Sequence, residues 1–399
     1  MIRDIKRSVK RVARYFGKEE EEDQELRLVR VTTKDQLQDF VQFNIDLYRN
    51  CRYAVPDLIS DEIGTLTREG NPAFEFCEVE LFMVQRGREV LGRIAAIINH
   101  RANKTWGENR ARFGWVDFID NNQVVDLLFD AAEAWARERG CTEIHGPMGF
   151  TDLDKEGMLV EGFDQMGTMI TLYNYAYYPR QIERRGYIKD TDWLEYKIFI
   201  PKIVPEKHAR LSQVVRDRYG LKLLKFEDRD ELVDKYGRAL FELYNEAYAP
   251  LYGFSQLNDA QIEMCIKHYL PLLNLDFINL VVDNEDNMVG FGITLPSIAK
   301  ALQKAQGKLF PTGFIHILKA LKSKSPDVVE LLLIGVKPEY QNKGVTALIF
   351  EDLIEVMNRY QVRYAESNPE LETNISMMLQ WNYFKKVHHK RRRVFVKKL

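Results

Sequence analysis

Apolar positions along the chain recur first at strand spacing, then at helix spacing, and this order occurs twice. The segment LRLVRV, with the chain organised from Leu28 onward, predicts a strand. The segment KDQLQDFVQFNIDLYRN predicts a helix, with Leu37, Phe40, Val41, Ile45 and Leu47 on its apolar side. VELFMVQRG and REVLGRIAAIINH predict two strands joined by a glycine-containing turn, a hairpin signal. ARFGWVDFI predicts a further strand. Asp120-Asn121-Asn122 then offers caps for a helix carrying Val124, Leu127, Leu128, Ala131 and Trp135 on one face. Gly140 fits the residue just past that helix. CTEIHGP is read as a strand, YYPRQIERRGY as a short helix closed by Gly186, and WLEYKIFI as a closing strand.

The second run repeats the order. LKLLKF predicts a strand, DELVDKYGRALFELYNEAY a helix, and Gln256 to Leu273 another. FINLVVDNEDNMVGFGITLP predicts two strands about a polar turn, and DVVELLLIGV a strand. A helix follows from Gly344 to about Tyr360, then a strand in RYAESN, a short helix in TNISMMLQWNYF and a last strand in RRRVFVKKL. What repeats is the pattern of elements rather than the residues themselves. It predicts an α/β protein made of two copies of one fold, with the seam marked by Pro201 and Pro205. The expected organisation is 1–27 as a basic amphipathic helix plus acidic linker, 28–204 as a first domain and 205–399 as a second. A length of 399 residues fits two cores better than one.

Composition changes this picture little. Hydrophobic residues make up 45% of the chain and the formal net charge is −2, so overall charge does not point to nucleic acid. Charge is nevertheless uneven. The first 18 residues are basic, EEEEDQE is acidic, and HHKRRRVFVKKL at the other end is strongly basic. In MIRDIKRSVKRVARYFGK, Ile2, Ile5, Val9, Val12 and Phe16 share a stripe among cations, so residues 1–18 are a candidate for weak membrane-surface contact or for docking on the protein's own body. The alternating basic C-terminal strand is expected at a sheet edge, where charge discourages edge pairing, with His388 and His389 facing solvent. Four dispersed cysteines without a CxxC pair indicate neither a disulfide framework nor a zinc site, and no metal is expected. No stretch reaches the roughly 18–20 apolar residues of a membrane span, and the N-terminus lacks a signal-peptide core, so a cytoplasmic protein is expected.

The segment GVKPEYQNKGVTALIF, residues 335–350, bears the most chemistry. A strand runs through a proline turn to Gln341-Asn342-Lys343-Gly344 and straight into a helix. A helix start offers unpaired N–H groups and the positive end of a dipole, and a glycine there admits close approach by a ligand. Together they suit pyrophosphate, with Lys343 adding charge. The stretch matches neither the Walker A nor the dinucleotide fingerprint.

Val336, Pro338, Gln341 and Gly344, on a strand leading to an amphipathic helix, resemble motif A of the GNAT superfamily of acyl-CoA-dependent N-acyltransferases. The downstream segment ETNISMMLQWNYF, with Asn374, is similar to the family's next helix. The resemblance spans 222–399 by motif and 28–200 by element order, and GRIAAIINH, GPMGF and LVEGFD suggest a bacterial tandem branch. It implies two tandem domains, each a mostly antiparallel sheet with one splayed parallel strand pair flanked by helices. It also implies acetyl-CoA or another acyl-CoA as co-substrate, with its arm bonded to the backbone of Ile334 and Val336. The pyrophosphate would lie on the amides of Gln341, Asn342, Lys343, Gly344, Val345 and Thr346, with Asn374 nearby. The acceptor would be a small-molecule or peptide amine, in a monomer or homodimer.

Two departures are Thr346, where the family has Gly or Ala, and Trp381, where it has a tyrosine acid; Tyr383 lies two residues further on. Glu330 and Tyr383 are therefore the catalytic candidates, with Glu366, Glu370 and Glu372 as further carboxylates near the splay. In the first half Asp120 and the lack of a glycine oppose pyrophosphate, so that domain is expected to shape the acceptor site or support the second. Two other readings remain open: a Fem-like transferase using aminoacyl-tRNA, or a non-catalytic CoA- or partner-binding protein. DLDKEGMLVEGF lacks the closing glutamate of a calcium loop and reads as a long functional loop. Tyr173, Tyr175, Tyr177 and Tyr178 are expected to pack, or to form an aromatic wall for the acceptor.

Overall fold

The computed structural model describes residues 25–399, so the basic segment 1–18 and most of its acidic linker lie outside the described residues. Fourteen strands form one mixed sheet. They are β1 (Leu26–Arg30), β2 (Cys77–Arg86), β3 (Glu89–Asn99), β4 (Arg110–Phe118), β5 (Glu143–Gly146), β6 (Met158–Glu161) and β7 (Ile188–Phe199). The second run supplies β8 (Lys222–Leu224), β9 (Ile278–Val282), β10 (Met288–Pro296), β11 (Val328–Val336), β12 (Tyr364–Glu366), β13 (Glu370–Leu371) and β14 (Lys385–Lys398).

The spatial order is β1-β2-β3-β4-β5-β14-β7-β12-β11-β10-β9-β8, with β6 on β14 and β13 on β7. The two closing strands have therefore changed places. The last strand of the chain sits beside β5 of the first run, and β7 sits beside β12 of the second. The two pair antiparallel with each other over nearly their whole length. A cut at residue 204 would leave β7 without β12 and β14, and β5 with β4 alone.

This arrangement corrects the expectation for the C-terminal strand. β14 is interior, with partners on both sides, and its central cations Lys390 to Arg393 are paired with carboxylates rather than hydrated. Lys390 and Arg392 are each 1% exposed, and both bond Glu195, itself fully buried on β7. Burial alone would raise the Glu195 carboxyl, but Arg392 and Lys390 outweigh it and hold it down at about 2. His389 also departs from expectation: its ring is buried, with Nε2 2.8 Å from Glu366. Breaking a buried ion group by removing one partner is costly because the remaining charges stay desolvated. Glu195→Gln keeps the shape but strands two cations, so urea unfolding should show a loss of about 3–5 kcal/mol. A change below about 1 kcal/mol would show that solvent or other groups replace the carboxylate.

Helices cover the sheet at four places. Asn122–Glu138 buries Val124, Val125, Leu128, Phe129, Ala132 and Ala136 on the first run's strands. Val345–Arg359 does the same on the second with Val345, Leu348, Ile349, Leu353 and Val356. Lys34–Leu47 and Arg229–Tyr248 pack over separate clusters. Each buried aliphatic side chain contributes about 1.5–3 kcal/mol relative to exposure. The proposed seam holds a helix, Glu206–Tyr219, that lies across Val345–Arg359 through Ser212 and Arg216, both on Glu351, and His208 beside Phe350.

Candidate functional site

β11 and β12 run parallel for three residue pairs, Val328↔Tyr364 to Glu330↔Glu366, and then part. β12 ends at Glu366 while β11 continues to Val336. At the parting β11 carries a bulge: its register against β10 passes from Leu333 to Leu331 while β10 advances a single residue, so Leu332 is extra. A bulge leaves backbone groups outside the ladder and bends the strand, which opens a cleft. Within the cleft, three side chains take the free edge of β11. The Tyr248 hydroxyl donates to Ile334 O (3.1 Å) and accepts from Ile334 N (3.3 Å). The Asn368 amide donates to Leu332 O, and Gln341 Nε2 donates to Val336 O at 3.2 Å.

The turn beyond the cleft closes with Asn342 (φ 60°) and Gly344 (φ 85°), and the helix Val345–Arg359 starts with no side-chain cap. The left-handed backbone at Gly344 favours glycine, and a Cβ there would come within 2.9 Å of Leu211. Leu211, 40% exposed, thus lies over the helix start. Lys343 sits over the Tyr340 and Tyr219 rings, 4.8 and 5.4 Å from their centroids. The Thr346 hydroxyl donates to Gln380 Oε1 at 3.2 Å. The matching helix of the first half starts with a side-chain cap. Asn121 Oδ1 accepts from Gln123 N and Val124 N, while Asp120 stands beside it, held by Arg180 and Gln181.

The sequence candidates separate into groups. Glu330 and Glu366 lie side by side at the base of the cleft, 1% and 5% exposed. Ser297 Oγ donates to Glu330 Oε1 at 2.6 Å, and Glu330 Oε2 has no hydrogen-bond partner among the described residues. Burial pushes the Glu330 carboxyl up to about 7, against the Ser297 bond and the Lys390 charge. From Glu366 the charges continue through Lys390 (3.4 Å) to Glu195 and Arg392, which reaches Leu172 O. Glu370 is buried beside Tyr196, accepts from Trp381 Nε1 at 2.6 Å and is pushed by burial to about 8. Trp381 thus ties down a carboxyl where the family's tyrosine would stand.

Asn374 caps the short helix Ile375–Gln380 through Met377 N, and Glu372 pairs with Lys189. Tyr383 is elsewhere, exposed, accepting from Lys207 Nζ at 2.8 Å and edge-on to His208. Of the tyrosine-rich segment, Tyr178 is buried and hydrogen-bonded to Tyr48, Asp117 and Phe118 N, so it packs. Tyr173 lines a cavity with Tyr48, Cys51, Asp57 and Lys155.

Three features of the site went unread in the sequence, Tyr248, Asn368 and Leu211, whereas the acids of DLDKEGMLVEGF were noted only as part of a long functional loop. Asp152 and Asp154 are pushed by burial to about 6, and Glu156 rises well above the carboxylate range through burial and then Asp152. Asp152 Oδ1 and Glu156 Oε1 lack partners among the described residues. Asp152 and Glu370 reinforce the burial that lifts the Tyr248 hydroxyl to about 12, so it remains a neutral donor. Tyr244 and Tyr248, four apart on a predicted helix, were the available signal for Tyr248.

Two runs of like element order, each with a short parallel strand pair leading toward a helix and only the second of those helices uncapped, make up the tandem GNAT fold. A tandem GNAT protein from the clavulanic acid biosynthesis pathway superposes with TM-score 0.53 at 13% identity, over 94% of this chain and 98% of that one. The glucosamine N-acetyltransferase region of a fungal multi-domain β-N-acetylglucosaminidase gives TM-score 0.52 at 11% identity, over 94% of this chain and 38% of that longer chain. By sequence the chain is 28% identical over 320 residues to "Bacterial ceramide synthase" of Caulobacter vibrioides, covering 79% of this chain and 82% of that protein. It is 26% identical over 379 residues to "Protein YghO" of Escherichia coli, covering 92% and 94%. No family model matches the chain.

Proposed function

We propose that the protein is an acyltransferase that moves an acyl group from a CoA thioester, held along β11, to the amine of a long-chain amino alcohol. The observation that carries the donor site is the contrast between the two helix starts. The helix after Gly344 starts with no side-chain cap, leaving the Thr346 amide without one, whereas Asn121 takes the amides of Gln123 and Val124 at the start of the first half's helix. Uncapped amides at the positive end of a helix favour a pyrophosphate. The acceptor class is supported by the ceramide synthase relative, since a ceramide is the N-acyl derivative of a long-chain amino alcohol.

The reaction forms a C–N bond as the amine attacks the thioester carbonyl and breaks the C–S bond as the thiolate leaves. The proton lost by the amine goes to the Glu330 carboxylate, whose raised proton affinity suits a base near neutral pH. The thiolate needs little help, having a pKa of about 8.5 as a thiol. Its proton comes from solvent or from the Tyr248 hydroxyl at the same strand edge. The test is mass spectrometry of the protein incubated with palmitoyl-CoA and a saturated C18 amino alcohol. The expected product is the N-acyl amide together with free CoA. CoA binding without amide formation would favour a non-catalytic protein, and absence of CoA binding would remove the donor assignment.

A pantetheine arm along β11 takes over the bonds that Tyr248 now makes to Ile334. Tyr248→Phe removes that competitor. With a net value of about 1 kcal/mol for a hydrogen bond, CoA affinity measured by calorimetry should rise about fivefold. A weaker complex would instead make the hydroxyl a contact to the donor.

A further inference from the structure

Between β10 and β11 the chain inserts a helical hairpin, Ala299–Ala305 and Gly313–Leu321, that is absent from the pattern read in the sequence. Its first helix is anchored: Ala299, Ala301 and Leu302 are buried in a cluster that also gathers Ile317, Ala320 and Leu321 from the second. The second helix and the turn before it present the opposite side outward. Phe310 is 70% exposed, Ile315 51%, Leu318 47% and Phe314 40%, and the Phe310 and Phe314 rings stack loosely at 5.5 Å. Four large apolar side chains within nine residues form a contiguous patch, which on a water-facing surface marks an interaction site.

Charge says what covers it. From Ser297 to Pro326 there is no Asp or Glu, while Lys300, Lys304, Lys308, Lys319, Lys322 and Lys324 are all exposed, without an ion-pair partner among the described residues. An apolar helix face on a hairpin that itself carries lysines and no acids matches the interface of an anionic bilayer, where acyl chains receive the apolar groups and headgroups receive the ammonium ions. A protein partner would need an acidic rim around an apolar pocket, and a second copy of this patch would set lysines against lysines. A groove lined by Arg52, Tyr53, Met166, Lys300, Gln303 and Lys304 adjoins the hairpin, so a lipid-borne molecule would meet it directly.

We infer that the hairpin of residues 299–321 docks the protein on anionic membrane surfaces, through Phe310, Phe314, Ile315 and Leu318 with the flanking lysines. The inference stands on the hairpin alone and does not require the acceptor to be a lipid. Residues 1–18, a candidate in the sequence either for membrane contact or for docking on the protein's own body, lie outside the described residues and form no part of it.

The test is co-sedimentation of the full-length chain with vesicles of phosphatidylcholine alone and with 30% phosphatidylglycerol. The wild type should bind only the anionic vesicles. Phe314→Glu with Leu318→Glu, both at exposed positions, should weaken binding at least tenfold, and Lys319→Glu with Lys322→Glu should do the same. A chain lacking residues 1–24 should bind as the wild type does. Equal binding by the hairpin variants, or loss of binding on deleting residues 1–24 alone, would overturn the assignment. A concentration-dependent dimer dissolved by Phe314→Glu, with no vesicle binding, would overturn it in favour of a self-contact. Acylation of a water-soluble short-chain amine, measured in the same variants, should be unchanged. Loss of vesicle binding therefore remains distinguishable from failure of the acyltransferase reading.

Discussion

Leu211→Glu is expected to abolish CoA binding at concentrations that saturate the wild type, a loss of at least about 100-fold. The side chain lies over Gly344, so the new carboxylate would stand at the uncapped start of Val345–Arg359 without disturbing the backbone. There it would take the first amides as a capping side chain does, and its charge would repel the pyrophosphate. Two opposing effects of about 1–2 kcal/mol each, from capping and from charge at a helix start, together reach that fold-change. Gly344→Glu places the same charge directly but adds strain, because φ is 85° and the Cβ meets Leu211. Leu211→Ala separates cover from charge: it opens the helix start and should leave affinity equal or higher. Calorimetry on the three variants, with thermal unfolding as a check on folding, decides the matter. Unchanged affinity in Leu211→Glu would mean that this helix start is not the phosphate site.

Glu330→Gln should lower kcat/KM about 10²–10⁴-fold, the range for losing a general base. The wild-type rate should rise with pH through about 7, where burial has placed this carboxyl, and that limb should vanish in the variant. Stability should change in the opposite sense. Glu330 binds its proton more tightly folded than unfolded, so its contribution is complete below about pH 4.5 and is lost as pH rises through about 7. Replacing it by the neutral amide removes that loss, so the variant's stability should vary less between pH 4.5 and 7 than the wild type's. A large rate loss with an unaltered pH profile would make Glu330 a positioning residue and shift the base to Glu370 or Asp152.

The turn before Val345 was legible because it is local. Pro338, Gln341 and Gly344 are near one another in sequence, and turn, positive φ and helix start all lie within ten residues. The hairpin of β2 and β3 and the capped helix after Asn121 were legible for the same reason, whereas the splayed strand pair, which joins Val328 to the distant Tyr364, came only from the resemblance. Glu330 could be named from its strand, although nothing in the sequence gave its burial or Ser297 as its partner. The family's spacing falls on Trp381, and Tyr383, taken two residues further on as the nearest tyrosine, has its hydroxyl accepting from Lys207 on the helix Glu206–Tyr219, unread at the seam.

Sequence by itself determined the two-fold order of elements, the amphipathic faces of the covering helices and the turn that precedes Val345, because hydrophobic period, caps and glycine conformations act over a few residues. Only the tertiary structure decided the exchange of β7 and β14, since an alternating strand carries no label for the neighbour it will pair with. That exchange turned a strand that looks like an exposed basic edge into the buried centre of the sheet, where Lys390 and Arg392 are stable only because Glu195, far away in sequence, arrives on the adjoining strand. Tertiary structure likewise decided that Tyr248 and Asn368 meet the backbone of β11, since long-range packing sets which distant polar groups must satisfy one another once water is excluded.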